Sequence, residues 1–416
     1  MPLTHWNFPF CPQPPDWELT WEQIETEFEW LQPLRKCPQG PSLQGENNVL
    51  THTRKVCEAL VSNHCWRSLL AVERSLIFAA ALLHDIAKPE CTVIDGDNQV
   101  SCPGHRRRGM HKARMILWDD VRFQTPSVPF LIREMIVNLI RHLNVPVHWI
   151  DQPDPIRTAL QASQSVRCDW LALLAEANVE GQDDSRKLGQ LEKIDLFREL
   201  CRENNCLAHP YAFPSDHSRF VFFRSEPGKL PYDAYDTNQF DVVLLAGIPA
   251  AGKDTWVLDF AADRPIISLD DLRLSLDISP VDNQGPVVVA AKAQAREYLR
   301  RQQPFIWNAT NITAAVRTQL IDLFAAYQAR TTIVYLEAPL QTILQRNAQR
   351  TAVVPNRVIY KLAAKLDIPS RTEAHGVHYI VNGTALENWW YQWPIADGSL
   401  DSQIVINQSD LDNFEP

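Results

Sequence analysis

No stretch of these 416 residues approaches the apolar length needed to span a bilayer. The N-terminus, MPLTHWNFPFCPQPP, lacks a basic segment followed by an apolar run, so it does not read as a secretory signal. The nine cysteines contain no CxxC pair, and the nearest two in sequence are Cys201 and Cys206. A reduced, cytoplasmic setting is expected, with most thiols packed as small apolar groups and no membrane partner. Excess positive charge is also missing. A net charge of −10 excludes a protein that coats nucleic acid non-specifically, though not one that grips only the end of a strand. The hydrophobic fraction of 45% is ordinary for a globular protein, and the length is too great for one core, so two or three domains are expected.

What the chain does have is the stretch Val242–Trp256, VVLLAGIPAAGKDTW. The apolar run Val242–Ala246 reads as a buried parallel strand. Gly247 and Gly252 bracket a loop and Lys253 follows, which is the phosphate-binding pattern GxxxxGK. Glycines let the backbone of Gly247, Ile248, Pro249, Ala250, Ala251 and Gly252 wrap an anion with its N–H groups turned inward. Lys253 is suited to the β- and γ-phosphates of ATP or another nucleoside triphosphate. The next position, usually a Ser or Thr that ligates magnesium, is Asp254, with Thr255 behind it. Either the Asp254 carboxylate holds magnesium, directly or through water, or Thr255 compensates.

From Phe240 onward strands and helices alternate. The pattern predicts strands Asp241–Ala246, Pro265–Leu269, Phe305–Asn308, Thr331–Glu337 and Val377–Val381, with helices Lys253–Ala262, Pro286–Arg301, Ala314–Arg330 and Leu340–Arg350 between them. Such alternation implies an α/β domain with a mostly parallel sheet and ligand groups at the carboxyl ends of its strands. There SLDDLR supplies Asp270, Asp271 and Arg273. Asp270 is suited to take a proton from an attacking hydroxyl and Arg273 to hold a phosphate on the acceptor; the competing reading is acids in the first turn of a helix. Asn308, Thr310 and Asn311 in WNATNIT either orient the acceptor or cap the next helix. Arg346 and Arg350, four residues apart, share a helix face and read as a lid clamping ATP phosphates.

The N-terminal half is different. Trp17–Leu34 reads as a short amphipathic helix with Trp17, Trp21, Ile24, Phe28 and Leu31 on one face, a packing lid without chemistry. From Asn48 to about Cys206 the pattern is helical throughout, an all-α bundle. SRFVFFR, further on, offers an extra strand. Within the bundle His52, the adjacent His84-Asp85, His105 and His142 each stand near a helix end, a plausible one- or two-metal cage on facing helices. His111 and His148 are left as ordinary histidines. Arg106, Arg107, Arg108, Lys112 and Arg114 form a basic cluster that is as readily a solvated helix face.

His52, then His84-Asp85, resembles the HD-domain phosphohydrolase superfamily. His105 and His142 match the extra histidines of its two-metal members, and Lys88 in HDIAKP matches a lysine placed beside the metal. The family's closing Asp is replaced, in LALLAEANVEGQD, by Asn178, a neutral and weaker ligand; Asp169 faces another way, and Asp183 and Asp184 follow in a loop. GIPAAGKDTW, DDLR, NATN and APLQTILQRNAQR…VPNRVI resemble, in order, the phage-type 5′-OH polynucleotide kinases. That resemblance implies active-site roles for Lys253, the polar residue after it, Asp270, Arg273, Arg346 and Arg350. The fusion resembles the bacterial bifunctional HD-domain polynucleotide kinases over roughly residues 45 to 385.

The expected organisation is a lead-in (1–45), an HD-type helical domain (46–210), a linker (211–239), a P-loop kinase domain (240–385) and a tail (386–416). The resemblance implies an RNA or DNA end-healing enzyme. Its kinase would move the γ-phosphate of a nucleoside triphosphate to a 5′-OH with magnesium. Its HD domain would remove a 2′-phosphate, 3′-phosphate or 2′,3′-cyclic phosphate with one or two divalent metals such as manganese, nickel, cobalt or zinc, and an RNA ligase would act next. The alternatives are a nucleotide-metabolism enzyme with an HD nucleotidase and small-molecule kinase, and a nucleotide-regulated protein with an inactive HD domain.

Overall fold

The run AVERSLIFAAALL at Ala71–Leu83 is apolar on nearly every side, and a helix of that kind belongs inside other helices. It is helical, and every residue from Val72 to Leu83 is buried. The computed structural model describes residues 6–39, 48–95, 100–119, 128–182, 185–260 and 263–386; Asp183, Asp184, Ala262 and the tail from 387 lie outside them. Two units are formed, one on Met1–Ala212 and one on Phe213–Asn388.

The first unit is multi-helical: α1 (Trp21–Glu27), α2 (Val49–Ser62), α3 (Ala71–Leu83), α4 (His105–Trp118), α5 (Phe130–His142), α6 (Pro155–Ser163), α7 (Cys168–Glu180) and α8 (Lys187–Glu203), joined by shorter turns. α3 packs against α2, α5 and α7, while α7 also contacts α2 and α8. A small antiparallel ribbon, β1 (Val93–Ile94) with β2 (Val100–Ser101), interrupts the expected all-helical pattern. The helix expected over Trp17–Leu34 is shorter: α1 gives way to a 3₁₀ segment, Glu29–Lys36, that contains Pro33. Trp17 has φ 55°, a left-handed conformation that no right-handed helix continues. Its ring meets Trp66 edge-on at 5.8 Å, and Phe8 reaches Phe78 of α3 at 6.3 Å, so the lead-in covers the central helix. Arg114 is not part of a solvated basic face. It is buried against Glu134, which it meets at 2.9 and 2.8 Å and which also accepts from Arg133 at 2.8 Å. All nine cysteines are free thiols, seven of them buried.

The second unit is α/β. Its strands are β3 (Phe240–Ala246), β4 (Ile266–Ser268), β5 (Phe305–Asn308), β6 (Ala329–Glu337), β7 (Gly376–Val381) and β8 (Thr384–Leu386), in the order β4-β5-β3-β6-β7-β8. All neighbours are parallel except β8, which runs antiparallel to β7. Its helices are α9 (Asp216–Arg224), α10 (Lys253–Phe260), α11 (Leu269–Ser275), α12 (Gly285–Arg300), α13 (Ala314–Ala325), α14 (Leu340–Ala348) and α15 (Asn356–Ala363). β3 is apolar along almost its whole length because it is the buried centre, with Leu244 in register between Trp307 and Ile333. Val243, Leu245, Val257, Ile306, Val334 and Leu336 form a core beside it. The chain leaves β3 for the β4–β5 side and later crosses to β6, so the end of β3 opens at a switch in strand order. Among the described residues no helix is long and apolar enough to cross a membrane.

Three expectations need correction. The helix expected over Ala314–Arg330 ends at Ala325, and Arg330 belongs to β6. SRFVFFR is not a strand but lies in α9, started by Ser215, whose hydroxyl accepts from the Ser218 N–H at 3.0 Å, with Phe220 and Phe222 turned inward. The helix expected to end at Arg350 stops at Ala348, which leaves Arg350 in the following turn.

His375 is buried in this unit. Its Nδ1 accepts the Thr331 N–H at 3.1 Å, its ring stacks on Phe220 at 3.9 Å, and its Nε2 lies 3.3 Å from His217. Burial, then the Arg330 and His217 charges, lower its pKa to about 3 against the pull of Asp236. The folded ring is therefore neutral where the unfolded one, at its ordinary 6.5, takes a proton. Its contribution to stability is complete above about pH 6.5 and falls towards pH 3, by up to about 1.4 kcal/mol per pH unit. A long-range ¹H–¹⁵N NMR spectrum of the folded protein at about pH 4.5 should show His375 neutral with a bare Nδ1; a protonated ring there would refute this.

Candidate functional site

β3 ends at Ala246 and the chain enters the loop through Gly247, whose φ is 153°. A Cβ at Gly247 would stand 2.5 Å from the Leu336 carbonyl oxygen of β6, so no side chain fits. The Gly247 N–H donates to the Thr310 carbonyl at 2.9 Å, which fixes the loop on its other flank. Ala250 (φ 64°) and Gly252 (φ 107°) complete the turn into α10. Lys253 Nζ folds back onto the carbonyls of Gly247 (3.0 Å) and Ile248 (3.1 Å). Burial lowers its pKa to about 8; Asp254 and Asp270 oppose the shift and Arg350 adds to it. Those four side chains therefore share one electrostatic neighbourhood.

Asp254, exposed at the head of α10, accepts from Asn308 Nδ2 at 2.8 Å, at the carboxyl end of β5. Thr255 is exposed beside it. The cap of α13 is Thr313, whose hydroxyl accepts from the Val316 N–H. Asn308, Thr310 and Asn311 instead tie the phosphate loop to its surroundings: Asn311 Nδ2 donates to the Leu245 carbonyl at 2.7 Å. Arg317, fully buried, donates to the carbonyls of Asn311 (3.0 Å) and Asp367 (2.9 Å) and pairs with Glu373 at 2.7 Å.

Ser268 caps α11 by accepting from the Asp271 N–H at 3.2 Å, so Asp270 is not needed as a cap and its carboxylate is exposed. Arg273 Nη1 contacts that carboxylate. Its Nε donates to Gln284 Oε1 at 2.8 Å, and Gln284 donates in turn to the carbonyls of Ser279 and Asp282. Over the loop, Arg346 Nη1 lies 4.0 Å from where a Gly252 Cβ would be. Between the two lid arginines Asn347 is fully buried. Its amide donates to the Val354 carbonyl at 2.7 Å and accepts the Val354 N–H at 3.0 Å, which closes the segment carrying Arg350. Gln284 belongs to no motif, and Asn347, though it lies within APLQTILQRNAQR, carries no role that the sequence assigns.

In the first unit, α2, α3 and α7 bring a second group together. His52 Nε2 lies 3.4 Å from His84 Nε2, His84 Nε2 lies 3.1 Å from Asp85 Oδ2, and Asn178 Oδ1 lies 3.2 Å from His52 Nε2. The Nδ1 atoms face the carbonyls of Gly181 (3.3 Å) and Ala81 (2.7 Å). Donation to those carbonyls leaves both Nε2 lone pairs aimed at the shared space. Burial and His84 hold His52 at a pKa of about 4, hence neutral. Burial resists ionisation of Asp85, but His84, Lys88 and His52 outweigh it and keep the carboxyl well below its ordinary range. Lys88 Nζ stands 2.6 Å from Asp85 Oδ2 and donates to Gln39 at 2.8 Å. Two imidazole nitrogens, a carboxylate and an amide oxygen suit a divalent transition ion. Among the described residues, His52, His84 and Asp85 are the only His, Cys, Asp and Glu trio so close.

His105 and His142 stand outside this trio. His105 is anchored through Nδ1 to the Cys102 carbonyl at 2.8 Å, though within the field of Asp85. His142 is half-buried at the end of α5, with its Nε2 shielded and without a hydrogen-bond partner. Arg106 also feels Asp85, a cation near the cluster that was grouped above with a surface patch. Asp169 is engaged by Arg167 at 3.0 Å.

Residues 242–369 match a family described as AAA domain. The chain is 24% identical over 179 residues to the L-seryl-tRNA(Sec) kinase of Methanococcus maripaludis, over 41% of this chain and 63% of that protein. It thus spans less than two thirds of that relative. Among solved structures it is similar to a gluconokinase from Sinorhizobium meliloti 1021 (17% identity, 35% of this chain and 83% of that one, TM-score 0.26). It is similar also to Kti12 of Chaetomium thermophilum in complex with ADP-AlF3 (15% identity, 34% and 89%, TM-score 0.28). The C-terminal region of this chain is a P-loop kinase domain with kinases among its relatives.

Proposed function

We propose that this chain repairs nucleic-acid ends with two separate sites. The C-terminal domain phosphorylates a 5′-OH of RNA or DNA, and the N-terminal domain hydrolyses a terminal 2′-phosphate, 3′-phosphate or 2′,3′-cyclic phosphate. The observation that carries the kinase half is Arg273, anchored through Nε to Gln284 and set against Asp270 beside the phosphate loop. An anchored guanidinium paired with an exposed carboxylate suits an acceptor that brings its own phosphate beside its hydroxyl, as a polynucleotide end does. A relative whose acceptor is an aminoacyl-tRNA supports a hydroxyl carried on nucleic acid.

In this reading the acceptor phosphate draws Arg273 Nη1 from Asp270 and uncovers the base. Asp270 takes the hydroxyl proton, the hydroxyl oxygen bonds to the γ-phosphorus, and the bond from that phosphorus to the β-phosphate oxygen breaks to release the nucleoside diphosphate. Lys253, Arg346 and Arg350 neutralise the charge spread over the transferring group. Asp254 would hold the magnesium, which neutralises phosphate oxygens.

In the N-terminal unit His52, His84, Asp85 and Asn178 would hold one divalent ion. When bound, such an ion polarises a phosphate oxygen and lowers the pKa of a bound water. Lys88 and Arg106 supply positive charge for the substrate phosphate.

With an RNA bearing 5′-OH and 2′,3′-cyclic phosphate ends, ATP, magnesium and manganese, both ends should be converted, as read by chromatographic mapping. Lys253→Ala or Asp270→Ala should lower 5′ phosphorylation by roughly 10² or more and spare 3′-end hydrolysis. His84→Ala or Asp85→Ala should do the reverse. A single substitution that removes both activities would overturn the two-site reading. Separately, Asn178→Asp adds a charge to the donor set and should tighten manganese binding by about tenfold or more in calorimetry on chelator-treated protein. An unchanged affinity would remove Asn178 from the metal site.

A further inference from the structure

Asp254 does more than replace a hydroxyl. A Ser or Thr in its place is neutral and meets phosphate without repulsion, whereas a carboxylate there repels a nucleotide tail carrying several negative charges. Three observations keep that charge in play. Asn308 Nδ2 holds Asp254 Oδ1 at 2.8 Å, so the exposed carboxylate is oriented towards the end of β5 beside the loop. Lys253, the nearest cation in sequence, is committed to the carbonyls of Gly247 and Ile248 and makes no ion pair with it. Among the described residues no other lysine or arginine contacts Asp254. Asn308 orients the carboxylate but, being neutral, does not cancel it.

We infer that Asp254, set by Asn308, makes the phosphate loop admit nucleotide only as its complex with a divalent cation and reject the metal-free form. The inference rests on the nucleotide-binding reading of the loop. A cation between carboxylate and phosphate turns the same charge from repulsive to attractive, so one residue sets both the penalty and its relief. Asn308 is then a positioning residue, and the discrimination is made before any chemistry.

The test is calorimetric binding of ADP to the full chain, once with EDTA and once with magnesium, for the wild type, Asp254→Asn and Asn308→Ala. The wild type should bind Mg·ADP well and metal-free ADP poorly. Asp254→Asn, an isosteric change at an exposed position, should tighten metal-free binding by about tenfold or more and shrink the magnesium effect by a similar factor. Asn308→Ala leaves the charge but frees it, and should weaken Mg·ADP binding severalfold. Equal affinity of the wild type and Asp254→Asn for metal-free ADP would overturn the inference while leaving nucleotide binding intact. If Thr255→Ala removes the magnesium effect and Asp254→Asn does not, the cation is held elsewhere and the inference also fails. Absence of any ADP binding by the wild type, with or without magnesium, would instead overturn the nucleotide-binding reading beneath it.

Discussion

The C-terminal domain depends on how closely Gly247 approaches the strand beside it. With room for no atom beyond Cα, the loop is wedged between the Leu336 carbonyl of β6 and the Thr310 carbonyl beyond β5. That wedge sets where the loop amides point and where Lys253 begins. Its walls are held in turn by Arg317, fully buried and matched by Glu373 and two backbone carbonyls. A buried guanidinium is costly to desolvate, so it adds little net stability, and its value lies in admitting one arrangement of the groups around it. Loss of the carbonyls or carboxylate that meet Arg317 would leave a buried charge unmatched, and the Asn311 carbonyl among them belongs to the residue whose side chain holds Leu245.

Much of this fold was legible because its signals are local. A buried parallel strand is a continuous apolar run, and the strand–loop–helix around Gly247 and Lys253 lies within fifteen residues of sequence. SRFVFFR misled for the same physical reason: four consecutive residues of similar character carry no period, and what decided for a helix was the Ser215 cap and burial against distant residues such as His375. Arg350 lies past its helix because the Asn347 amide captures both backbone groups of Val354, a contact that spacing alone does not reveal. In the helical unit, the residues themselves pointed to His52, His84 and Asp85 and the family resemblance to Asn178, and these four side chains do converge. His105 and His142 had the same outward sign, a histidine near a helix end, but neither brings a ring nitrogen into the close trio.

The residues that hold the charged groups of this site in place share a chemistry. Gln284 positions Arg273, Asn308 positions Asp254, Asn347 shapes the turn before Arg350, and Asn311 joins the loop to Leu245. Each is a neutral amide. An amide donates and accepts without carrying charge, so it can orient an arginine or an aspartate while leaving its field undiminished. A charged partner would orient as well but would neutralise the group it holds. Arg273 has both kinds of partner, the neutral Gln284 at Nε and the Asp270 carboxylate at Nη1, so only the second would have to give way to a phosphate.

The same distinction explains why the two departures from the familiar motifs run in opposite directions. At Asp254 a neutral hydroxyl has become a carboxylate, which adds negative charge where phosphate must come and raises the demand for a cation. At Asn178 an amide stands where the resembled family has a carboxylate, so the group around His52, His84 and Asp85 carries less negative charge and, in the proposed reading, would hold a cation less tightly. Lys88, 2.6 Å from Asp85, pushes the second site further the same way, because an ammonium beside a ligating carboxylate competes with the metal for it. The substrate's own charge then matters differently at the two places. A phosphate arriving at the N-terminal cluster brings oxygens that supply the missing negative charge and give Lys88 an alternative partner, so substrate and cation would strengthen each other's binding. A nucleotide arriving at the phosphate loop adds charge to a site already holding Asp254, so there the cation must come with it. In the proposed reading metal and phosphate would be coupled in both units, by an absent carboxylate in one and an added carboxylate in the other.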